Sequence, residues 1–588
     1  MTDTKADQIQ LENAPSMARP SETADYDAGD STSYHDSYRL SIRTYMVLTT
    51  MAFAWGTCTM ANIGPSTTYS YAVAEVGGES ISTWIPNASL FPIIGLQPIW
   101  GSLADRFGKK WFIFSGGVAG VIGNVVAGTA SSTEVIIVGQ AINGLGSSLY
   151  LLVIPTSMEI VPASHRSFAQ GFMGSVNGLI SIMILLASGA FAKSSTSGWR
   201  WVYYFNAIFF GIVAVSLLVF YHPPPTTLRR TNTTSEALKS IDFAGVAMFL
   251  CGIISIVVAL NWGGHAYPWD NSRVIALLAL GSLFLIGFGV YGIWAHIGTE
   301  KWGLSDGLLD HRFFHERNYP LILCVAFVDG MLLYGVNSFL PQQVGGLFTH
   351  DPIMVSVYLL PLNLCVIGGI MSSAYILGVF KHYRILLVSS LIVIAVFCGL
   401  LALVNAHRAA MLLVFTGFIG LGVGVTTALP NVVLTYAVPP HLIGTAGTLL
   451  ASCRGLGGTI GITIFSTING NYMSSHRIPD VTRAVINAGL PRSSAEELVT
   501  AFLAGNSSAL ASISGATPSV ISAAEHALEE VTAESFKFVW IANTVVAVVT
   551  VIFTCFLQSV AHHMTSHVEA PLEKGKLRDN TMAKDMKD

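Results

Sequence analysis

The amino-acid sequence predicts an all-α polytopic membrane protein. Three observations support this prediction: 52% of the 588 residues are hydrophobic, only 11% are charged, and the mean hydropathy is +0.58. A soluble chain typically carries about 25% charged residues, so this chain has too few to cover several soluble domains. Fourteen apolar spans of about 20 residues each would account for nearly half of the chain.

Charge and cysteine content exclude other classes of protein. The formal net charge is −4, so the chain offers no strongly basic surface, and no nucleic-acid partner is predicted. Seven cysteines are an odd and sparse number for a secreted disulfide-rich fold of this length. All seven lie in apolar runs without a Cys-x-x-Cys pair, so we expect free thiols in helices and no metal site.

Fourteen segments are long and apolar enough to be read as membrane-spanning helices. Residues 1–43 precede them, are mostly polar and lack a signal-peptide pattern, so we expect a disordered tail. The first span must then act as the insertion signal. The predicted spans are 44–66, 82–103, 111–130, 135–157, 168–192, 199–221, 242–262, 273–294, 319–340, 353–379, 385–404, 409–430, 441–468 and 538–560.

Basic residues predict the orientation of the spans, because short loops rich in Lys and Arg stay in the cytosol. These residues concentrate in alternate loops, and the intervening short loops contain only four of them. The basic residues of the richer set are Arg106, Lys109, Lys110, Arg166, Arg229, Arg230, Lys239, Lys301, Arg312, Arg317, Lys381 and Arg384. We therefore expect this set of loops and both termini to be cytoplasmic.

The longest segment predicted to lie outside is 469–537, between the last two spans. It is rich in Ala and Ser and includes helical stretches such as 495–501. It also contains the sequon Asn506-Ser507-Ser508, which can be glycosylated only on the lumenal face of the membrane. Asn506 is therefore the predicted N-glycosylation site.

The most specific motif lies between spans 2 and 3, where residues 101–110 read Gly-Ser-Leu-Ala-Asp-Arg-Phe-Gly-Lys-Lys. Gly101 allows a neighbouring helix to approach, Asp105 can accept from backbone amides, and Gly108 permits a tight turn. The motif resembles the signature loop of the major facilitator superfamily. The residues that carry the resemblance are Gly101, Asp105, Arg106, Gly108, Lys109 and Lys110.

Two further motifs resemble a subgroup of that superfamily. Residues 198–206 read Gly-Trp-Arg-Trp-Val-Tyr-Tyr-Phe-Asn and resemble the entry of span 6 in the fourteen-helix drug:proton antiporters. Residues 242–245 read Asp-Phe-Ala-Gly and resemble the start of the extra helix pair in that group. Within the group, the sequence is similar to the fungal branch of trichothecene-type toxin efflux pumps.

The resemblance covers about residues 44–560 and implies the major facilitator fold: two six-helix bundles plus two linking helices, with substrate bound between the bundles. The implied organisation is a disordered cytoplasmic tail, a first bundle, cytoplasmic linkers with two extra spans, a second bundle containing the outer segment 469–537, and a cytoplasmic tail. The boundaries of these five parts are 1–43, 44–221, 222–318, 319–560 and 561–588.

The sequence departs from the antiporter pattern in three places. Gln140, in the stretch 139–146, stands where drug antiporters usually carry an Arg that is assigned to proton transfer. Span 5 lacks the proline that usually ends its motif. The first span lacks an acid, and its nearest polar residues are Thr57, Thr59 and Asn62. The groups that usually serve proton transfer in this subgroup are therefore absent from these positions.

Only two charged residues lie deep inside the predicted spans: Asp329 in span 9 and Arg454 in span 13. A lone charge at that depth costs about 3 kcal/mol or more, and such residues usually face the bundle interior and mark function. Both helices run in the same predicted direction, so the two groups share a depth. Asp329 is the predicted proton-coupling or gating carboxylate, with Arg454 as its partner. The alternatives are a static structural ion pair, or an Arg454 that satisfies backbone carbonyls.

A substrate cavity between the bundles is expected to be lined by uncharged polar and aromatic side chains. Such a lining suits an amphipathic, uncharged small molecule. Each of these groups could instead form a hydrogen bond between packed helices. The candidates are Asn87, Asn143, Asn177, Tyr334, Asn337, Gln342, Asn363 and Asn431.

The sequence thus predicts a monomeric, proton-coupled transporter that exports a hydrophobic small molecule such as a mycotoxin or drug. Its expected partners are that substrate, protons and the lipid bilayer; no cofactor is expected because the proton gradient supplies the energy. The plasma membrane is the expected location, with a vacuolar or vesicular membrane as the alternative. A siderophore-iron/proton symporter of the same fold is the main alternative function. A polytopic membrane enzyme is a distant one, since the only His in a predicted span is His441, the first residue of span 13.

Overall fold

Apolar segments fold into helices throughout the described part of the chain, and no β-strand occurs among the described residues. This architecture is seen in a computed structural model. The residues that the structure describes are 41–78, 81–82, 84–223, 242–264, 267–302, 317–349, 351–439, 442–503, 510, 513 and 515–558.

Eight helices make up the first part of the fold, and Pro98 within α3 is accommodated without ending that helix. A 3-10 turn at Ala163–His165 leads into α7. The helices are α1 (Ile42–Val76), α2 (Trp84–Asn87), α3 (Leu90–Phe107), α4 (Lys109–Gly128), α5 (Thr133–Tyr150), α6 (Val153–Glu159), α7 (Arg166–Ser194) and α8 (Arg200–Phe220).

Two helices follow as a linking pair, and eight more complete the described chain. The linking pair is α9 (Phe243–Trp262) and α10 (Ser272–Trp302). The others are α11 (Asn318–Leu347), α12 (Pro352–Tyr358), α13 (Leu360–Phe380), α14 (Tyr383–Leu401), α15 (Ala409–Ala437), α16 (Ile443–Asn487), α17 (Arg492–Leu503) and α18 (Pro518–Thr554).

Within the described residues, twelve helices are long and apolar enough to cross a membrane. The prediction of an all-helical membrane protein is therefore confirmed. The first two predicted spans are also helical, as α1 and as the α2–α3 pair, but they are more polar than the other twelve. The count of fourteen membrane crossings stays a prediction.

The packing of α1–α8 is repeated by α11–α18. In the first bundle α1 packs on α7 and α8, α4 packs on α5 and α8, and α3 packs on α5. In the second bundle the corresponding pairs also pack: α11 on α16 and α18, α14 on α15 and α18, and α13 on α15. The contacts between bundles repeat as well, because α3 packs on α16 and α7 packs on α13. The two bundles thus share one arrangement of packed helices, which we call their plan.

The linking helices α9 and α10 pack against each other and against the first bundle. Gly252 of α9 lies against the side chain of Leu285 in α10, so the two helices approach closely. Phe249, Ile253 and Val257 of α9 form a buried apolar cluster with α3. Asp242 caps α9 by accepting from the Gly245 amide at 2.8 Å and also accepts from the Tyr291 hydroxyl at 3.0 Å. This contact explains the acid and glycine of the 242–245 motif.

The segment 469–537 is largely helical where it is described. α16 contains 45 residues and α18 contains 37, so α16 is about 68 Å long, roughly twice the thickness of a bilayer core. Gly489, with φ +105, ends α16 in a left-handed turn that leads to α17. The ends of α16 and α18 and the whole of α17 share their own apolar core, which includes Val485, Leu498 and Val520. We call this part the helical extension.

Several predictions fall outside the described residues. They concern most of the N-terminal tail, the linkers around 224–241 and 303–316, the C-terminal tail 561–588, and the sequon at Asn506. The glycosylation of Asn506 and the cytoplasmic location of both tails stay predictions.

Candidate functional site

The signature motif brings the two bundles into contact at one end, which we call the signature end. Gly101 of α3 faces the start of α16: a Cβ atom at this position would lie 2.9 Å from the Thr445 Cα atom and would collide with Thr448. Gly444 in turn lies against the carboxylate of Asp105. The absence of side chains at these positions therefore lets α3 and α16 pack backbone to backbone.

Asp105 caps the first turn of α16 across this seam. Its Oδ2 atom accepts from the Thr445 backbone amide at 2.7 Å and from the Thr445 hydroxyl at 2.9 Å. A helix N-terminus has unpaired amides and a partial positive charge, so it favours a carboxylate at this position. Asp105 belongs to the first bundle and α16 to the second, so this cap joins the bundles.

A buried lysine supports the Asp105 carboxylate. Lys109 is 5% exposed, forms an ion pair with Asp105 at 3.1 Å, and forms a second ion pair with Glu159 at the end of α6. Gly108, with φ +95, supplies the turn that returns Lys109 towards Asp105. Lys110 instead donates to the carbonyl of Leu218 at 3.2 Å. Sequence reasoning missed Glu159, although an acid directly after a span and close to the basic loop could have indicated it.

Arg166 forms a second bridge between the bundles at the signature end. It is buried; its Nε atom donates to the Met158 carbonyl at 2.9 Å, and its Nη1 atom donates to the Thr435 carbonyl of α15 at 3.1 Å. The Tyr436 hydroxyl donates back to the Ala163 carbonyl at 2.6 Å. In the sequence Arg166 served only as an orientation marker, and the structure gives it a contact role as well.

The contacts at the opposite end have a different character. Lys193 of α7 lies 3.7 Å from Asp351, which precedes α12, and both side chains are substantially exposed. Such an exposed pair contributes only about 0–1 kcal/mol. The described side-chain bridges at the signature end are buried by comparison, although the buried Ser356 hydroxyl also donates across the bundles towards the opposite end, to the Leu185 carbonyl at 3.4 Å.

The Gly-Trp-Arg-Trp motif fastens the first bundle at that opposite end. Glu75 of α1 accepts from the Trp199 indole at 2.7 Å, the Ser197 hydroxyl at 3.0 Å and the Arg200 guanidinium at 3.2 Å. Desolvation is the largest single influence and opposes these contacts, but the three hydrogen bonds and the charge of Arg200 together outweigh it and hold the pKa of Glu75 below its ordinary value. Arg200 also donates to the Ala130 carbonyl at 2.7 Å, so the motif ties α1, α4 and α8 together.

Asp329 and Arg454 meet inside the second bundle. The Nε atom of Arg454 lies 2.9 Å from the Oδ2 atom of Asp329, and the two side chains are 11% and 1% exposed. Glycines make this approach possible, since Gly330 lies against the Arg454 backbone and Gly457 lies against the Phe327 backbone. The structure therefore brings together the two charged residues that the sequence singled out at equal depth.

Two threonines of α15 complete the surroundings of this pair. The Thr426 hydroxyl donates to the Asp329 Oδ1 atom at 2.5 Å, and the Arg454 Nη2 atom donates to the Thr427 carbonyl at 3.2 Å. The pair thus connects α11, α15 and α16. Sequence reasoning missed both threonines, because threonine is common in the spans and no local signal distinguishes these two.

The corresponding contact in the first bundle is uncharged. Where α11 and α16 bring Asp329 to Arg454, α1 and α7 bring the Thr59 hydroxyl to the side-chain amide oxygen of Asn177 at 2.6 Å. Asn177 and Arg454 each lie eleven residues after the start of their helices, at Arg166 and Ile443. The repeated plan therefore places a neutral hydrogen bond in one bundle and an ion pair in the other.

A buried amide network surrounds Gln140 in the first bundle. Asn124 donates to the Asn143 side chain at 3.0 Å, and Asn143 donates to the Gln140 side chain at 3.0 Å. All three side chains are at most 1% exposed. The position at which drug antiporters usually carry Arg is thus part of an uncharged network, and Asn143 holds helices α4 and α5 together.

The other predicted cavity residues are spread along the bundles. Asn87 lies at the end of α2, where the second predicted span is interrupted before α3. Tyr334 is half-buried, and its ring packs against Gly458 of α16. Asn431 is 5% exposed and donates to the Thr427 carbonyl at 3.1 Å, which places it beside the Asp329–Arg454 pair. The side-chain amides of Asn337, Gln342 and Asn363 donate to backbone carbonyls one turn earlier on their own helices.

The described residues contain no group of three or more His, Cys, Asp or Glu side chains that could hold a metal ion. The arrangement instead combines many apolar helices, two bundles of one plan, a buried seam at one end and one buried ion pair. These features define a membrane transporter built from two bundles. The chain belongs to the Major Facilitator Superfamily, whose family model matches residues 45–462. It is therefore a transporter and not an enzyme.

Fungal efflux pumps are among the relatives that the chain resembles. It is 24% identical to the efflux pump FUS6 of Gibberella moniliformis, over 79% of this chain and 81% of that protein. It is 26% identical to the rubrofusarin-specific efflux pump aurT of Gibberella zeae, over 67% of this chain and 70% of that protein. The fold matches the Escherichia coli fucose:proton symporter FucP with a TM-score of 0.52 at 12% identity, over 88% and 99% of the two chains.

Proposed function

We propose that the protein exports a hydrophobic secondary metabolite in exchange for protons. Export is favoured by the relatives, several of which are named as efflux pumps. The uncharged polar groups beside the Asp329–Arg454 pair, such as Asn431 and Tyr334, suit a neutral substrate. A small molecule of this kind would enter from the cytosol or from the inner leaflet and leave at the opposite face.

The buried Asp329 carboxylate is the observation that carries proton coupling in this proposal. It is the one carboxylate deep inside the spans predicted from the sequence, and its partner Arg454 and the Thr426 hydroxyl stabilise its ionised form. A carboxylate that binds a proton becomes neutral, which removes its attraction to Arg454. Proton binding would thereby loosen the connection between α11 and α16.

Alternating access is the proposed mechanism of transport. In the described state the signature end is closed by the Asp105 cap and the Arg166 bridge. We infer that this state faces away from the cytosol and that the inward-facing state breaks these contacts as the bundles rock. The proposed setting is the plasma membrane, with both termini in the cytosol and a single chain as the working unit.

Reconstituted vesicles with an imposed pH difference test the proposal. Inside-out vesicles with an acidic lumen are expected to accumulate rubrofusarin, used as the first probe with a hydrophobic fluorescent dye beside it. Asp329→Asn should reduce pH-driven accumulation at least tenfold and leave exchange without a gradient largely intact. The reason is that the variant cannot take up the coupled proton.

Asp480→Asn is the matched control, since it makes the same carboxylate-to-amide change in the helical extension, far from the pair. It should transport like the unmodified protein. If folded Asp329→Asn retains full pH-driven accumulation, the coupling proposal is wrong. If right-side-out vesicles with an acidic exterior instead accumulate a ferric siderophore, the protein is an uptake symporter.

A further inference from the structure

The hydroxyl of Thr426 faces two acceptors with one proton. Its Oγ1 atom lies 2.5 Å from the Asp329 Oδ1 atom and 3.1 Å from the carbonyl oxygen of Val423, one turn earlier on α15. A threonine hydroxyl can donate one hydrogen bond and accept two. It can therefore donate to either acceptor, and when it donates to the Val423 carbonyl it can accept a bond from a protonated Asp329.

The surroundings of this hydroxyl leave little freedom for other partners. Thr426 is 0% exposed and Asp329 is 1% exposed. The charged and titratable groups facing Asp329 are Arg454 from α16 and Tyr334 from its own helix. From α15 the described contact is the Thr426 hydroxyl, and α18 presents the uncharged Asn543 near Gly335. A buried polar atom without a partner costs about 1–3 kcal/mol, so each protonation state of Asp329 needs its own hydrogen bond.

We propose that Thr426 is a positioning residue that serves both protonation states of Asp329 by reversing the direction of its hydrogen bond. This inference rests on the proposed function, in which Asp329 binds the coupled proton. Thr426 does not itself keep the transported proton. It holds the carboxyl group in one position while the group changes charge.

The proposed step conserves protons and charge. In the ionised state Thr426 donates to Asp329 Oδ1, and Arg454 balances the negative charge through Oδ2. A proton from the aqueous side then binds Oδ1. The new carboxylic O–H donates to Thr426 Oγ1, and the hydroxyl proton of Thr426 turns to the Val423 carbonyl oxygen. One proton is gained, no covalent bond to carbon changes, and the net charge of the Asp329–Arg454 pair rises from zero to plus one.

This reversal also explains how protonation could reach the neighbouring polar groups. Once Asp329 is neutral, Arg454 keeps its bond to the Thr427 carbonyl, which also accepts from Asn431. The positively charged Arg454 side chain is then bound to α15, through the Thr427 carbonyl, and no longer to the Asp329 carboxylate of α11. Protonation of Asp329 therefore weakens the contact between α11 and α16 and also alters the polar surroundings of Asn431, which shares the Thr427 carbonyl with Arg454.

Infrared difference spectroscopy of the full chain in lipid nanodiscs, recorded against pH without substrate, tests the inference. The C=O stretch that Asp329→Asn removes reports protonated Asp329. Thr426→Val should move this band to higher frequency, because the carboxyl O–H loses its acceptor. Thr426→Val should also raise the pH at which Asp329 is half-protonated by about one unit. The variant loses one hydrogen bond in each protonation state, and the charge-assisted bond to the ionised carboxylate is the stronger of the two.

Three variants separate the hydroxyl from its surroundings. Thr426→Ser should restore the band and the midpoint, and Thr426→Ala repeats the deletion should the valine variant fail to fold. Thr416→Val is the matched control, because Thr416 is equally buried on α15 and donates only to backbone carbonyls.

The possible outcomes are distinct. An unchanged band and midpoint in folded Thr426→Val and Thr426→Ala overturn the inference and leave the proton role of Asp329 intact. If Asp329→Asn removes no titrating band, the proton role fails and the inference fails with it. An equal shift in Thr416→Val also overturns the inference, because the effect would then belong to helix packing.

Discussion

Asp329 and Arg454 depend on each other for their burial. A single charge at this depth is costly, whereas a close ion pair offsets part of its desolvation, and further hydrogen bonds add to this. Thr426 and the Thr427 carbonyl supply those further bonds. The first bundle avoids the problem by using amides and hydroxyls at the equivalent places, as in Thr59–Asn177.

Removing one partner of the pair should therefore destabilise the fold more than removing both partners. Arg454→Gln leaves Asp329 buried and unpaired, so we expect it to lower the free energy of unfolding by about 3–5 kcal/mol. The double variant Asp329→Asn/Arg454→Gln should lose less than Arg454→Gln alone. Unfolding in mixed micelles measures these differences.

Lys193→Gln is the control for this comparison, because it breaks an exposed ion pair of 3.7 Å. It should cost about 1 kcal/mol or less. A double variant that is less stable than Arg454→Gln would contradict the expectation, since it would mean that the buried ion pair is not the source of the loss.

Single residues were predictable from the sequence only where their chemistry is rare in a membrane. Asp329 and Arg454 were found because charged residues seldom occur in the middle of a span. Thr426 was not found, because threonines such as Thr57 and Thr68 bond to their own helix in the same way and look identical in sequence. Only the fold shows which hydroxyl faces the carboxylate.

At the scale of helices, the seam between α3 and α16 depends on side-chain size. Alanine or a larger residue would normally favour a helix over glycine by about 1 kcal/mol, yet Gly101 leaves no room for a Cβ atom beside Thr445. Gly101→Val should therefore separate α3 from α16 and open the signature end, even though α3 itself would be a better helix.

Spin labels measure this opening. Labels at Trp111 and Ile385, which are exposed on α4 and α14, should show a longer or broader distance distribution in Gly101→Val. Gly292→Val is the matched control, since a Cβ atom there would meet nothing within 4 Å. Identical distributions in the unmodified protein and in Gly101→Val would show that the seam does not depend on this glycine.

Helices were predictable from the sequence more reliably than their ends. Hydropathy located a helix at every predicted span, because apolar runs of this length satisfy their backbone only as helices in a bilayer. It did not show that α1 reaches Val76 or that α16 reaches Asn487. Contacts other than burial in the membrane stabilise these helix ends. Glu75 near the end of α1 accepts a hydrogen bond from Trp199, and the helical extension has its own apolar core around Leu498.

At the scale of the whole molecule, two bundles of one plan carry different chemistry. The first bundle supplies the charged signature loop at the seam, and the second supplies the buried ion pair. The resemblance to a known family gave the plan, but the sequence alone could not show that the signature end is closed. That closure depends on contacts between residues far apart in the chain, such as Asp105 with Thr445.

A reversible cross-link at the signature end should stop transport if the bundles must separate there. The Pro155 Cβ atom lies 2.9 Å from the position of a Cβ atom on Gly447, across the seam. Pro155→Cys/Gly447→Cys, in a chain whose seven native cysteines are replaced, should form a disulfide after small adjustment, since such bonds join Cβ atoms about 3.5–4.5 Å apart. Oxidation should abolish transport of the probe into vesicles, and reduction should restore it.

A cross-link inside one bundle distinguishes rocking from general rigidity. The Met331 Cβ atom lies 3.0 Å from a Cβ position on Gly461, and both residues belong to the second bundle. Because a bundle that rocks as a rigid body keeps its internal distances, oxidised Met331→Cys/Gly461→Cys should still transport. Full transport by the oxidised pair across the seam would rule out opening at the signature end, and equal inhibition by both pairs would point to movement within the second bundle instead of rocking between the two.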